Sequence, residues 1–259
     1  PMETLEHDGR TTAYRFVEAD ATGPTVLYVH GSGGTHTLWS AQYAPRGPAH
    51  PAVALDLSGH GESEDIDGQE SATLATYVED VVAVARETDA TVLVANSLGG
   101  AVVLRAVLDG RLAPAGIVLA GTGAKLTVAE ELRELLATDF GGAIDMLHGE
   151  DMLFHDPPAR LRERSIETMR AVGQSVTRRD FEACHRFDVR DRIAEITVPT
   201  LAVCGEYDRL TPLSYHEYLA DRIPNATVET VPDAAHLAMA ERPTVFNDAI
   251  ESFLDRIEG

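Results

Sequence analysis

Short, continuously apolar runs rich in β-branched residues recur along this chain, and they constrain its fold more than any other feature. They lie at residues 25–29, 51–57, 91–95, 115–119 and 200–204. A run of this kind suits a strand that is buried on both faces. Residues 11–18 are typical of an early edge strand, and residues 227–231 of the last strand.

Helical patterns separate these runs. After Ser71, a candidate N-cap, apolar residues from Leu74 to Ala85 recur at three-and-four spacing. Behind Pro243, a second apolar face continues to Leu254. Strands that alternate with helices predict an α/β fold, with a mostly parallel, twisted sheet that helices flank on both faces.

Residues 123–196 break this alternation. The stretch is helical in pattern and holds no convincing buried strand, and about seventy residues are too many for an ordinary connection. We therefore predict a helical cap over the end of the sheet where ligands bind in open α/β folds. The predicted core consists of residues 2–122 and 197–259, and Pro1, which precedes Met2, is left out of it.

The charge balance narrows the possible partners. The formal net charge is −21 at pH 7, and Lys125 is the only lysine among 21 basic residues. A chain without a basic stripe has little to displace counterions from phosphates, so no nucleic-acid partner is expected. An acidic excess with almost no lysine resembles proteins of salt-loving organisms; the alternative is a GC-rich genome that favours arginine codons.

Other features predict a cytoplasmic protein. No stretch of eighteen apolar residues exists, so no membrane partner is expected. The first ten residues carry acidic and histidine side chains where a secretory signal needs an apolar core. Cys184 and Cys204 lack the paired spacing of metal ligands, and we interpret them as buried free thiols.

The pattern small-x-Ser-x-Gly occurs at residues 95–99, between an apolar run and a helical stretch. A sharp strand-to-helix turn there exposes the hydroxyl of Ser97 at the end of the sheet, and bulky side chains in place of Ala95 and Gly99 would clash. Serine and glycine are common turn residues, so the pentapeptide is a weak signal by itself. Three further segments give it weight and make Ser97 a candidate nucleophile.

Candidates for the base and for the group that orients it follow the last two predicted strands. His236 comes soon after residues 227–231, and Asp208 lies just past the strand that ends at Cys204. A carboxylate that accepts the imidazole Nδ1–H fixes the tautomer and stabilises the imidazolium. The alternatives are a solvated loop histidine and a turn or cap aspartate. Glu206 is a second candidate for the orienting group.

Backbone amides are the expected donors to an oxyanion. The N–H of Leu98 comes next after the candidate nucleophile, at a helix N-terminus whose dipole favours negative charge. The second donor is expected from the loop at 30–34, most directly from the N–H of Ser32, because glycines there let the backbone approach a substrate closely. The loop could also cradle a phosphate, but it lacks the Gly-Lys-Ser/Thr ending of a P-loop.

Together these segments resemble the α/β-hydrolase superfamily over nearly the whole chain. Residues 30–31 (His-Gly) resemble its oxyanion loop, and residues 56–63 its Asp-x-x-Gly-x-Gly-x-Ser segment. Residues 95–99 resemble its nucleophile elbow, while Asp208 and His236 match its acid and histidine loops. The order Ser, Asp, His is also that of the family.

The resemblance implies an α/β-hydrolase fold of the capped, esterase-like branch, with Ser97, Asp208 and His236 as the catalytic triad. It also implies that His60 packs a loop rather than taking part in catalysis. Ala95 stands where the elbow most often has glycine, and alanine is still small enough for the turn.

The expected reaction is acyl transfer, in which Ser97 cleaves small to medium uncharged carboxylic esters. The dehalogenase and epoxide-hydrolase branches are not expected, because the resemblance implies an aspartate at their elbow and this chain has Ser97 there. The alternatives are a carbon–carbon (meta-cleavage product) or lactone hydrolase, a cofactor-free perhydrolase and a hydrolase-derived ligand receptor. Residues 96–97 and 30–33 are similar to the meta-cleavage-product hydrolases, but those generally carry a tryptophan where this chain has Leu237.

The substrate pocket is expected to be apolar, with walls from the predicted cap. A small-molecule ester is the expected partner, with no cofactor and no metal. Residues 148–156 contain several potential metal ligands, but a solvated cap face is the simpler interpretation because no second cluster accompanies them. The predicted lining residues are Trp39, Phe140, Met146, Leu153 and Phe154.

The acidic composition generates a test of the salt requirement. If the carboxylate-rich surface is adapted to high salt, repulsion among its charges destabilises the fold when salt is removed. In molar KCl, where the Debye length is about 3 Å, that repulsion is screened. We expect the melting temperature to fall as KCl is removed. A flat melting temperature from low to molar salt would favour genome composition as the cause instead.

Overall fold

A mixed sheet carries the elements that position the candidate residues. The computed structural model describes residues 1–18, 23–43, 47–67 and 73–259. Within these ranges eight strands pair in the order β1-β2-β4-β3-β5-β6-β7-β8. Their bounds are β1 Glu3–His7, β2 Arg10–Val17, β3 Val26–Val29, β4 Ala52–Leu55, β5 Val92–Asn96, β6 Gly116–Ala120, β7 Thr200–Gly205 and β8 Ala226–Val231.

Strands β3 to β8 pair in parallel, and β1 and β2 run antiparallel at one edge. Every residue of β3 to β7 is buried, as the continuous apolar runs predict. The prediction that residues 11–18 form the edge strand is wrong, because β1 pairs outside β2. Sequence reasoning missed β1 because it is short, partly exposed and contains one apolar residue, Leu5.

Helices cover both faces of the sheet, which confirms the predicted α/β-hydrolase fold. Their bounds are α1 Ser40–Tyr43, α2 Thr73–Glu87, α3 Leu98–Leu108, α4 Glu130–Thr138, α5 Phe140–Leu147, α6 Ala159–Val172, α7 Gln174–Arg186, α8 Leu213–Arg222, α9 Ala238–Glu241 and α10 Pro243–Glu258. Leu93 and Ala95 of β5 pack with α2 and α3, whereas Val92 and Val94 pack on the opposite face with α10. The predicted N-cap Ser71 lies outside the described residues.

Helices α4 to α7 lie between β6 and β7, where the sequence predicts a cap. We call residues 123–196 the helical insertion. Its helices enclose an apolar cluster around Leu136, Ile144 and Phe154. Near its end the chain joins the core, because Cys184 and Ile196 pack in the cluster with α2 and α3. The insertion is thus anchored to the sheet, and its division from the core as a domain stays a prediction.

Cys184 and Cys204 are buried free thiols, as the sequence predicts. Burial raises the pKa of each to about 12, so neither is a thiolate at neutral pH. Among the described residues, no helix combines the length and the hydropathy that crossing a membrane requires.

Candidate active site

Ser97 occupies a tight turn between β5 and α3. Its φ is 52° and its ψ is −114°, a conformation that residues other than glycine rarely adopt and that costs about 1–3 kcal/mol. Its backbone is held by hydrogen bonds to β6, to the residues after β6 and to α3. The Ser97 N–H donates to Ala120 O (3.2 Å), and Ser97 O accepts from Gly100 N–H (2.9 Å) and from Thr122 Oγ1 (2.8 Å). Strand β6 and the residues after it therefore stabilise the strained turn.

Gly99 lets α3 begin against the loop that follows β3. A Cβ atom at Gly99 would lie 2.7 Å from His30 O, so the turn needs a glycine here, as the sequence predicts. The same close approach brings residues 31–34 beside the candidate nucleophile, since a Cβ atom at Gly31 would lie 3.1 Å from Ser97 Cβ. We call residues 31–34 the oxyanion loop.

His236 and Asp208 meet beyond the carboxyl ends of β7 and β8. The Nδ1 atom of His236 lies 3.0 Å from Asp208 Oδ2, and both side chains are buried. Burial raises the pKa of Asp208, but the charge and hydrogen bond of His236 outweigh it, helped by donors from Thr211, and the pKa lies below its ordinary value. Thr211, which sequence reasoning missed, donates its hydroxyl to Asp208 at 2.7 Å and its N–H at 2.9 Å.

Two glutamates lie near the histidine loop, residues 232–237. Glu206, the second candidate for the orienting group, is exposed and accepts from a backbone N–H of this loop rather than from the imidazole. Glu241 of α9 is buried and accepts from the N–H of Ala235 (3.0 Å). It also accepts from both N–H groups of residues 155–156 in the helical insertion. These contacts join distant segments, so no local pattern in the sequence indicates them.

Ser97 and His236 line the same cavity, whose volume is about 680 Å³. Ser32 lines it too, and Leu98 lies buried at the first position of α3. Among the described residues, neither the Ser32 N–H nor the Leu98 N–H has a protein acceptor. Two backbone donors in the segments beside Ser97 are therefore unpaired within the described part of the chain.

The cavity wall is mostly apolar, and the helical insertion contributes nearly half of its residues. Met146, Leu153 and Phe154, three of the predicted lining residues, belong to it. The wall also includes apolar residues of the insertion that sequence reasoning missed, because an amphipathic pattern does not say which neighbour each face meets. These are Leu126, Val128, Leu132, Leu161, Met169 and Phe181.

Two predicted lining residues lie elsewhere. Trp39 ends a short 3₁₀ helix, His36–Trp39, and is fully buried. Its ring centroid lies 5.1 Å from that of Tyr28 and 6.1 Å from that of Phe246, in the cluster that includes residues of α10. Phe140 begins α5 and packs on the insertion's own cluster. Both side chains fill hydrophobic cores rather than the cavity.

Residues 148–156 contain potential metal ligands. One of them, His148, has both ring nitrogens in contact with other groups of the protein. Its Nδ1 lies 2.7 Å from Ile144 O and its Nε2 2.8 Å from Ser165 Oγ. Across the part of the chain that the structure describes, no group of three or more His, Cys, Asp or Glu side chains could hold a metal ion.

Known proteins share this fold along nearly its whole length. The sequence model of the alpha/beta hydrolase family matches residues 26–249, and the chain belongs to that family. The 3-oxoadipate enol-lactonase 1 of Acinetobacter baylyi is 23% identical over 258 residues, 96% of this chain and 95% of that protein. The pimeloyl-[acyl-carrier protein] methyl ester esterase of Xanthomonas campestris is 28% identical over 250 residues, 90% and 95% of the two chains. The solved structure of a thermophilic esterase matches with a TM-score of 0.88 at 29% identity, covering 99% of this chain and 98% of that one.

The contacts of Glu241 generate a prediction for the histidine loop. In Glu241→Gln an amide NH₂ replaces one of two oxygens that accept backbone N–H groups, so a buried donor loses its partner. We expect the free energy of unfolding to fall by about 1–3 kcal/mol. We expect kcat for an ester substrate to fall about tenfold, because a small displacement of a catalytic group is costly.

Chemical denaturation and steady-state kinetics measure both effects. Glu251→Gln makes the same chemical change at an exposed position of α10 and serves as the control. If the two variants match in stability and in kcat, Glu241 does not hold the histidine loop.

Proposed function

We propose that this α/β hydrolase cleaves carboxylic esters through an acyl-enzyme on Ser97. The proposal rests on a serine in a positive-φ turn that shares one cavity with a histidine, whose other face contacts a buried aspartate. A nucleophile, a base and a group that orients the base are what acyl transfer requires. Similarity to the pimeloyl methyl ester esterase and to the thermophilic esterase supports the same reaction class.

His236 acts as the general base. Because its Nδ1 faces Asp208 at 3.0 Å, the imidazole carries its proton there and its Nε2 takes the proton of the Ser97 hydroxyl. The Asp208 carboxylate, whose pKa is low, then stabilises the imidazolium. His236 returns the proton to the leaving alcohol as the ester C–O bond breaks, and later activates the water that hydrolyses the acyl-enzyme.

The oxyanion of each tetrahedral intermediate accepts hydrogen bonds from the N–H groups of Ser32 and Leu98. The Leu98 amide is the first of α3, so the helix dipole adds to the stabilisation of negative charge. Losing one such donor typically costs about 10²–10³ in turnover. The free state of both N–H groups supports this role, since each has no protein acceptor within the described ranges.

The cavity favours uncharged acyl groups of small to medium size. Its volume of about 680 Å³ falls within the range typical of small-ligand pockets. Leu132, Met146 and Phe154 of the helical insertion contribute apolar wall, and each CH₂ group buried there adds about 0.8 kcal/mol of binding free energy. The insertion thus acts as a cap that sets the preference for acyl chain length.

Lactones are a second candidate substrate class. A lactone is a cyclic ester, so the same nucleophile, base and oxyanion donors suffice for its cleavage. The similarity to the enol-lactonase, which extends over 96% of this chain, favours this class.

We also propose that the protein works in the cytoplasm at high salt. The net charge of −21 with a single lysine supports the salt adaptation. The two free cysteines are compatible with a reducing compartment.

Replacing the nucleophile tests the proposed reaction. Ser97→Ala is expected to lower kcat for p-nitrophenyl esters by about 10⁶. Its melting temperature is expected to stay the same or rise, because the hydroxyl of Ser97 does not contribute to packing. Ser252→Ala, an exposed change in α10, is the matched control and should retain full activity. Substantial turnover by purified Ser97→Ala would refute the assignment.

A comparison of substrates distinguishes an esterase from a ligand receptor and from a carbon–carbon hydrolase. Turnover of p-nitrophenyl esters should rise with acyl length until the cavity is filled and then decline. Very slow turnover of every ester, together with tight ligand binding, would favour a receptor. Faster cleavage of a vinylogous diketone than of any ester would favour a carbon–carbon hydrolase.

A further inference from the structure

A buried carboxylate of the helical insertion lies directly behind the oxyanion loop. Asp180 of α7 is fully buried and accepts three hydrogen bonds. Its Oδ2 accepts from the Gly33 N–H (3.0 Å) and from His60 Nε2 (2.6 Å), and its Oδ1 accepts from the Tyr77 hydroxyl (2.5 Å). All three donors lie in parts of the chain more than a hundred residues from Asp180, so the carboxylate joins the insertion to the core.

His60 and Asp180 form a buried ion pair. Nε2 of His60 faces the carboxylate, and its Nδ1 faces the carbonyl oxygens of Leu57 (3.2 Å) and Ser58 (3.0 Å), so both ring nitrogens carry protons. Burial lowers the pKa of His60, but Asp180 outweighs burial and the net pKa is raised. Burial raises the pKa of Asp180, but His60 and the other donors hold it below its ordinary value.

His30 fixes one of the two peptide groups that flank Ser32. Its Nε2 accepts from the Leu57 N–H (3.1 Å), so its Nδ1 carries the proton and donates to Gly31 O (2.8 Å). Burial and the nearby charge of His60 lower the pKa of His30 to about 4, so the ring is neutral. A trans peptide group is planar with C=O and N–H on opposite sides. The Ser32 N–H therefore points away from His30.

Asp180 fixes the other peptide group. The Gly33 N–H points at its carboxylate, so the Ser32 carbonyl oxygen, in the same peptide plane, points the opposite way. Gly33 has a φ of +67° and no side chain to restrain it. The hydrogen bond to Asp180 directly opposes a rotation of this peptide, and such a rotation would displace the adjoining Ser32 amide.

We propose that Asp180 is a positioning residue that holds the oxyanion loop so that the Ser32 N–H faces the developing oxyanion. The inference rests on the proposed function and adds a role for the helical insertion beyond shaping the cavity. The oxyanion loop then has the conformation that catalysis requires only while α7 is packed against the core.

Three variants test the role. Asp180→Ala removes the acceptor of the Gly33 N–H, and we expect kcat to fall about 10- to 100-fold with KM within about threefold, somewhat less than the loss of a whole oxyanion donor. Asp180→Asn retains an oxygen for Gly33 and can turn its NH₂ toward the Tyr77 oxygen, so we expect kcat to recover to within about fivefold of wild type.

Asp80→Ala is the matched control. Asp80 of α2 is also fully buried, and its hydrogen bonds come from Arg10, Thr12 and Ser58 instead of from the oxyanion loop. The melting temperature should be lower in both alanine variants. When each is assayed well below its own melting temperature, kcat should be lower only in Asp180→Ala. Equal kcat values in the two alanine variants would overturn the inference.

Two further results complete the test. In the wild-type protein the Gly33 amide should exchange its hydrogen slowly although it borders the cavity. This measurement does not depend on whether a variant folds. Rapid exchange would overturn the proposed role of the hydrogen bond to Asp180. A wild-type protein that turns over no ester would contradict the proposed function and the catalytic part of this inference with it. Ester turnover by the wild type with equal kcat in Asp180→Ala and Asp80→Ala would contradict this inference alone.

Discussion

The close approach of α3 to the ends of two parallel strands determines the geometry of the whole site. The Ser97 N–H donates to Ala120 O of β6. Gly99 lets the helix begin close to the loop after β3, because a Cβ atom at this position would lie 2.7 Å from His30 O. If the helix stood further out, Ser97 would relax from its positive φ. The loop after β3 would then also lie further from the serine. One packing constraint thus exposes the candidate nucleophile and brings a proposed oxyanion donor beside it.

Buried carboxylates organise the loops around this turn. The loops beyond a parallel sheet cannot complete their hydrogen bonds within the ladder, and a carboxylate accepts several N–H groups at once. Asp208 accepts from residues 210–211, Glu241 from the histidine loop and residues 155–156, and Asp180 from the oxyanion loop. Part of the acidic excess therefore consists of buried carboxylates with a structural role. An adaptation to salt concerns the other carboxylates, which are exposed to solvent.

Local patterns account for the parts of the fold that could be predicted from the sequence. Strands β3 to β7 are apolar on both faces, so their signal is continuous and strong. Ser97, Asp208 and His236 could be nominated because each follows a predicted strand in an order known from the family. The partly exposed β1 gave no such signal.

Residues that act through tertiary contacts could not be predicted in this way. Asp180 and Gly33 lie 147 positions apart, and Glu241 joins segments that share no periodicity. Trp39, just after the oxyanion loop, and Phe140 are predicted to belong to the apolar lining, but large apolar side chains fill a core equally well. Which surface a short helix turns toward its neighbours depends on packing that the sequence does not display.

Covalent labelling shows whether the hydroxyl of Ser97 is activated by His236. A fluorophosphonate reacts only with a serine whose hydroxyl is activated, and tandem mass spectrometry locates the adduct. We expect one adduct per chain, on Ser97, and no adduct when His236 is replaced by alanine. A protein that hydrolyses esters yet carries its adduct on another residue, or that labels equally well without the imidazole, would contradict the assignment of Ser97 and His236.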